Sequence, residues 1–489
     1  MAILLYTYTD WQAKIVPMLK VAVQEHGQEV FWIGRRSAGI NSAMIRGVPR
    51  GNPFAKMTDF EGDGSLPTLD DPVSFERSFL APYMYQMNRY AKGYGSRGHK
   101  MKYFHEYRDH FFLTARKFKR LLLEKEIKTV IFFNMPHTGD DFLLYRVAES
   151  IGIDTFMFMV SPFKDRFFST KSIEAFGKLN GEFNRNSSVE NEWEILTREA
   201  KDTVQSYMFG VRRNDDWKIR EVFSAVAALL RRYPGFILEP KLIGKNVFEV
   251  MRLGRSLSKS RKTRREMLSG HRTKQLLDWL RGLERDATNL PEKFVYFPLH
   301  FQPELSTVPQ GGIFGDQALA IEMLSAALPS DVSIAVKENP KQGAFHREST
   351  FGARLKQLRN VVVLHPSMSN EILEDKCLGV AVVTGTAGWE AVRDRRPCIC
   401  FGNAWYRDCP GVHEFHEGLD LQTVIDNPPT QDTNEAFLRK AMSRSHKGVV
   451  YEFYLKSDAP EFEQANFQAL TDTFVKLAFG EELTTFQPG

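Results

Sequence analysis

Short stretches of this chain gather residue types able to move a proton or hold a phosphate. In NMPHTGDD, His137, Asp140 and Asp141 come directly after the apolar run Thr129 to Asn134. A histidine beside carboxylates can supply a general base or a nucleophile and the group that orients it. Helix capping by Asp140 or Asp141, with a structural hydrogen bond from His137, is the competing explanation of the same residues. A second stretch, GVAVVTGTAGWEAVRDRRPCICFG from Gly379 to Gly402, runs from an apolar segment through Thr384, Gly385, Thr386 and Ala387 into a helix-like segment. At such a turn the helix N-terminus offers unpaired N–H groups and a positive dipole end to an anion, and glycine lets the backbone come close. Glu390, about one helical turn in, can accept both hydroxyls of a ribose. A plain turn in which Glu390 only complements the helix dipole is the alternative. In FVYFPLHFQPELST the strand-like run Phe294 to Phe301 delivers His300, Gln302 and Glu304, and KENPKQ adds Lys337 and Asn339 after another apolar run.

The elements that must position these residues follow from periodicity. Ala2 to Tyr8 reads as a strand, Trp11 to His26 as an amphipathic helix and Glu29 to Ile33 as a strand, so the chain opens with a β-α-β unit. Asp10 stands at the carboxyl end of the first strand, where open α/β sheets present ligands; it reads as an acceptor-side residue or as the N-cap of the helix that follows. Arg35 to Pro82 is rich in glycine, proline and polar residues and is expected to be mostly loop. Lys92 to Lys102 clusters basic residues around GYGSRG, either an anion contact or a solvated loop. Phe104, Tyr107, Phe111, Ala115, Phe118 and Leu122 recur at helical spacing, which predicts a helix over Met101 to Ile127 with one buried face. Thr129 to Asn134 is a buried strand, a helix begins near Phe142, and Ile153 to Val160 is expected to close the first sheet. After charged, helix-like sequence from Gly181 to Asn289, strands at Phe294, Val332 and Val361 and a helix over Ala318 to Leu328 repeat the α/β order. Two such domains in tandem place a substrate cleft between them.

Composition sets the class. At 489 residues with 43% hydrophobic and 12% aromatic content, the chain can fill two ordinary cores. No apolar run approaches the roughly 20 residues of a membrane helix, and MAILLYTYTD lacks the basic start of a signal peptide, so a cytoplasmic protein is expected. Cys377, Cys398, Cys400 and Cys409 have no paired zinc-ligand spacing. The net charge of +5 is mild, but Arg252 to Lys274 concentrates nine Lys or Arg residues against the single acid Glu266. Such a block fits nucleic acid, anionic lipid headgroups, an acidic polymer or a solvated helix face.

PLHFQPELSTVPQGGIFGDQ, VKENPKQ, VVTGTAGWEAV and CICFGNAWYRDCPGV together resemble the carboxyl-terminal signature of the bacterial capsule polysaccharide biosynthesis proteins, a group related to the Kdo-transferring enzymes of capsule assembly. NMPHTGDD followed by a helix and GIDTFMF is similar to that family's first domain. The resemblance implies a GT-B glycosyltransferase: an α/β protein of two Rossmann-like domains facing a cleft, joined by a helical segment. The implied division is an acceptor-side domain over residues 1–180, a basic connecting segment over 181–289, a nucleotide-sugar-binding domain over 290–430, and helices over 431–489 that pack back toward the first domain. The donor side then comprises His300, Gln302, Glu304, Lys337, Asn339, Thr384, Gly385, Thr386, Ala387 and Glu390. Asn339 stands where related transferases have a phosphate-contacting histidine; asparagine can donate a hydrogen bond but carries no charge, so either the donor differs or phosphate binding rests on Lys337, His300 and the helix at Thr386.

No Asp-x-Asp pair is evident in a loop of that domain, so metal-independent transfer is expected, with helix dipole and side-chain donors meeting the leaving phosphate. No cofactor beyond the nucleotide-sugar substrate is expected, and CMP-Kdo is one donor of this kind. The expected partners are that donor, a saccharide or glycolipid acceptor, and an anionic membrane met at its inner face through Arg252 to Lys274, with no nucleic acid. Asp140 is the first choice for the chemistry, with His137 and Asp141 beside it. A sugar-nucleotide epimerase of the same fold and a non-catalytic anionic-polymer binder are the alternatives.

Overall fold

The computed structural model describes residues 2–34, 47–49, 66–93, 101, 103–180, 284–285, 290–302, 304–339, 342, 349–364, 368–452 and 460–487. Arg252 to Lys274 and most of Lys92 to Lys102 lie outside these residues, as does nearly all of the expected helical segment.

The first domain contains β1 (Ala2–Tyr6), α1 (Asp10–Ala13), α2 (Val16–Gln24), β2 (Glu29–Gly34), β3 (Gly47–Pro49), α3 (Pro72–Gly93), α4 (Phe104–Glu124), β4 (Ile127–Phe132), α5 (Asp140–Ser150), β5 (Asp154–Val160) and β6 (Arg166–Thr170). The second contains β7 (Glu284–Arg285), β8 (Phe294–Pro298), a 3-10 turn over Gly312–Gly315, α6 (Gln317–Ala327), β9 (Ser333–Lys337), α7 (Ser349–Lys356), β10 (Val361–Leu364), α8 (Asn370–Lys376), β11 (Gly379–Val382), α9 (Thr386–Arg393), β12 (Cys398–Cys400), β13 (Val412–Glu414), α10 (Leu421–Asp426) and α11 (Gln431–Arg444). The chain then returns to the first domain with β14 (His446–Lys447) and α12 (Pro460–Ala478).

Among the described residues, each domain is built on a seven-stranded sheet, ordered β14-β6-β5-β4-β1-β2-β3 and β13-β12-β11-β8-β9-β10-β7. All pairings of the second sheet are parallel. The first is parallel except around β6, which runs antiparallel to both neighbours. Fully buried strands such as AILLY and GVAV are apolar throughout because helices cover both faces. Two doubly wound α/β domains are thus the observed fold, the two-sheet plan expected of the GT-B class.

Several expectations are corrected. The first sheet does not close at β5, because β6 and β14 extend it. Pro17 near the start of α2 separates that helix from the single turn of α1, so Trp11 to His26 is not one continuous helix. Arg35 to Pro82 is not loop to its end: α3 begins at Pro72 and continues through Pro82. Phe104 lies outside the buried stripe of α4, at 58% exposure, while Tyr107, Phe111, Ala115 and Leu122 face the core. The last helix packs on the first domain, where Phe474 stacks on Phe158 at 4.3 Å and meets Phe133 edge-on.

Candidate functional site

In an open α/β sheet, ligands gather where strand order reverses, because the loops leaving two neighbouring strands there diverge and open a crevice. In the first sheet that point lies between β1 and β4; in the second it lies between β8 and β11. The loops leaving these strands carry Tyr8 and Asp10, NMPHTGDD, HFQPE and TGTA respectively.

On the first sheet, Asp141 is buried in the first turn of α5 and serves as a hub. Its Oδ2 accepts from the Tyr8 hydroxyl at 2.8 Å and from the His137 amide at 2.9 Å. Its Oδ1 accepts from the amides of Thr138 at 2.6 Å and Phe142 at 2.7 Å. These bonds fold the His137 loop over the helix N-terminus, where a carboxylate also complements the dipole. The Tyr8 ring stacks on the His137 imidazole with centroids 5.4 Å apart. Burial first, and then the nearby Asp141, push the Tyr8 phenol well above its ordinary pKa, so it stays a donor. His137 Nδ1 donates to the Met135 carbonyl at 2.7 Å. In the neutral ring that bond assigns the proton to Nδ1 and makes Nε2 the acceptor, the form a general base requires.

Gly139 precedes α5 at φ +95°, a conformation that glycine adopts without strain, and a Cβ there would stand 2.5 Å from Met87 Sδ. Asp140, half-buried, follows it. Asn134 links the loop to the returning chain by donating to the Tyr451 hydroxyl at 2.5 Å. Asp10 is exposed, and it is not the N-cap: Thr9 fills that position in a capping box with Gln12.

On the second sheet, the Thr384 amide donates to His300 Nε2 at 3.2 Å, joining the loops that leave β11 and β8. A Cβ on Gly385 would stand 3.1 Å from the His300 ring, so this glycine admits the imidazole against the turn. Thr384 Oγ1 donates to the Ser306 carbonyl at 2.7 Å, and the Tyr406 hydroxyl donates to the Gly385 carbonyl. Thr386 is exposed at the first position of α9, and Ala387 and Glu390 are partly exposed beyond it. Gly388 has no room for a side chain, since a Cβ would lie 2.4 Å from Tyr406 Oη and 2.8 Å from Val382 Cγ2. This close approach seats α9 on β11 and fixes where its N-terminus points.

The other residues expected on the donor side divide. Glu304 accepts from Ser306 Oγ at 3.0 Å. Gln302 is buried, donating through Nε2 to the Gly315 carbonyl at 2.6 Å and to Tyr85 Oη at 3.2 Å. Lys337 Nζ donates to the Met368 carbonyl and to Asn370 Oδ1, so it organises the approach to α8, and burial lowers its pKa. The Asn339 amide is bonded to Glu338 Oε1 at 2.8 Å.

Tyr8, Gln86, Gly139, Tyr406 and Tyr451 were not singled out by sequence reasoning. Only Gly139 carried a local signal, a glycine between the loop and the carboxylates that open a helix. The others are partnered across 21 to 317 residues of chain, the extremes being Tyr406 with Gly385 and Tyr451 with Asn134.

Residues 277–454 match the family described as capsule polysaccharide biosynthesis protein, which bears out the resemblance of the PLHFQPE to CICFGNAW region. Among solved structures, the beta Kdo 2,7 transferase KpsC of Thermosulfurimonas dismutans is 10% identical, with 89% of this chain and 97% of that one covered at a TM-score of 0.29. The UDP-GlcNAc 2-epimerase of Methanocaldococcus jannaschii is 12% identical, covering 90% and 99% at 0.23. The Neisseria meningitidis UDP-GlcNAc 2-epimerase, solved bound to UDP-GlcNAc, is 10% identical, covering 98% and 100% at 0.21. Likenesses of this depth assign no substrate. No curated protein matches the chain.

Proposed function

We propose that this chain is a glycosyltransferase of surface or capsular polysaccharide assembly, taking a sugar from a nucleotide donor to a saccharide or glycolipid acceptor. The observation that carries the reading is the pairing of two switch-point crevices. One offers a seated helix N-terminus with His300, Thr384, Thr386 and Glu390; the other offers His137 and Asp140 on a loop anchored by Asp141. The family match over residues 277–454 supports the same assignment.

In this reading the donor's phosphate lies at Thr384 to Ala387, and Glu390 takes the ribose hydroxyls. The bond from the sugar's anomeric carbon to the phosphate oxygen breaks, and its electron pair leaves with the nucleotide. Amides at the N-terminus of α9 and the His300 ring stabilise the charge that develops there. The acceptor hydroxyl bonds to the anomeric carbon and its proton passes to His137 Nε2. Asp140 stabilises the electron-poor sugar carbon or, in a retaining sequence, adds to it first. No metal takes part. CMP-Kdo is the donor that the family relationship favours, and Arg252 to Lys274 supplies contact with an anionic membrane. Among the described residues no helix is long and apolar enough to cross a membrane.

The test is incubation of the full chain with CMP-Kdo, UDP-GlcNAc and GDP-mannose in turn, each with and without oligosaccharide acceptors, read by mass spectrometry. Acceptor-dependent gain of one sugar is the expected result. Epimerised donor without an acceptor, or no turnover of any donor by protein that binds acidic polymer, would replace this reading.

A further inference from the structure

Helix α3 touches both crevices through adjacent residues. Gln86 Oε1 accepts from the Gly139 amide at 2.9 Å, and the Tyr85 hydroxyl accepts from Gln302 Nε2 at 3.2 Å. Gly139 lies between Thr138 and Asp140. Gln302 lies two residues past His300, whose ring receives the Thr384 amide. Packed and bonded groups therefore lead from the turn at Thr384 to the loop of His137 and Asp140.

The links have little slack. Gln86 is fully buried, and its Nε2 has no hydrogen-bond partner among the described residues, so the bond to Gly139 is what compensates burial of this amide. Gly139 rests against Met87 with no space for a Cβ. The Gln302 backbone is held by a reciprocal pair with the Gln342 side chain, at 2.7 and 3.0 Å. In a close-packed interior a shift of the His300 loop is passed to its neighbours instead of being absorbed in voids.

We propose that Tyr85 and Gln86 are positioning residues that transmit occupancy of the turn at Thr384 to the loop of His137 and Asp140. A nucleotide at the turn fixes the His300 to Gln302 loop, Gln302 fixes Tyr85, and Gln86 on the same helix sets Gly139 and with it the reacting groups. This inference rests on the donor-site reading above and adds an order of events, in which the catalytic loop is set after the nucleotide is in place.

The experiment measures hydrogen exchange at the amides of His137, Thr138 and Gly139, with and without saturating CMP or UDP, in the natural chain and in Tyr85→Phe and Gln86→Met. Nucleotide should slow exchange at these amides in the natural chain and leave it unchanged in both variants, which still bind it, with a loss of affinity no larger than the coupling that was removed. In the transfer assay, kcat should fall roughly three- to ten-fold, the equivalent of one neutral hydrogen bond, with a smaller effect on the donor KM. Tyr85→Phe keeps the ring and removes only the hydroxyl, so it stays informative should Gln86→Met lower the melting temperature. Equal slowing in the natural chain and Tyr85→Phe overturns the coupling, as does nucleotide binding that leaves loop exchange unaltered in the natural chain. Failure of both CMP and UDP to bind would instead remove the donor-site reading, and this inference with it.

Discussion

Gln302, buried behind a strand of the second sheet, donates a hydrogen bond to the hydroxyl of Tyr85 on a helix of the first domain, 3.2 Å away. That bond joins the two halves near both crevices, and elsewhere the Leu179 amide donates to Asp408 Oδ2 and Arg407 to the Glu174 carbonyl. In the proposed reading, the half assigned to the donor and the half assigned to the chemistry are thus in direct contact near the residues that each contributes.

Glu390→Gln and Thr386→Val should each weaken nucleotide binding while the chain stays folded. A hydrogen bond to a charged group contributes roughly 1.5 to 3 kcal/mol, so affinity measured by calorimetry should fall about ten- to a hundred-fold. Unchanged affinity in both variants would move the donor away from α9.

Asp140→Asn and His137→Ala should cut turnover by at least about a hundred-fold with nucleotide affinity little altered. Asp141→Asn should behave differently, because an amide nitrogen would face donors that now meet a carboxylate oxygen. Stranding a buried donor costs about 1 to 3 kcal/mol, which should appear as a lower melting temperature. Active enzyme in Asp140→Asn and His137→Ala would reassign the chemistry to Glu304 or Asp10.

The two glycines of α9 and its turn should separate binding from stability. Gly385 has an ordinary φ of −69°, so Gly385→Ala should fold normally, displace the His300 ring by a few tenths of an ångström and weaken nucleotide binding. Gly388→Ala forces a methyl against Tyr406 and Val382 and should destabilise the chain by about 1 to 3 kcal/mol, read as a drop in denaturant midpoint. A stable Gly388→Ala protein would show that α9 can slide on its sheet.

Turnover should persist in excess EDTA, since backbone amides and the His300 ring are the groups assigned to the leaving phosphate. Loss on chelation, with recovery on adding back magnesium or manganese, would refute metal-independent transfer.

Much of the plan was legible in the sequence. Buried parallel strands are continuous apolar runs, so Thr129 to Asn134 and Val380 to Val383 declared themselves, and the polar residues after them had to lie at strand ends. The helix that links the crevices was hidden because Pro82 and the glycine-rich stretch before it read as loop; packing of Tyr83 and Leu80 into the core holds the helix through that proline. The roles of Lys337 and Asp141 were equally hidden. Their partners, Asn370 and Tyr8, are set by strand order and not by spacing. Strands as short as β14 carry no periodicity to detect.

The return of the chain to its first sheet has a consequence for biosynthesis. Ser169 on β6 bonds to His446 Nε2 at 2.5 Å, 277 positions later, and its amide bonds to Thr485 Oγ1 at 3.0 Å, 316 positions later; His446 in turn meets Glu482 at 2.7 Å. At ribosomal rates of about 5 to 20 residues per second, β6 waits roughly 15 to 55 seconds for its outer neighbour. For that interval a nascent sheet presents an uncovered edge, the kind of surface that recruits other chains. Slower synthesis in the cold lengthens the exposure, so soluble yield should depend on chaperones that shield β6 until the last helix has emerged.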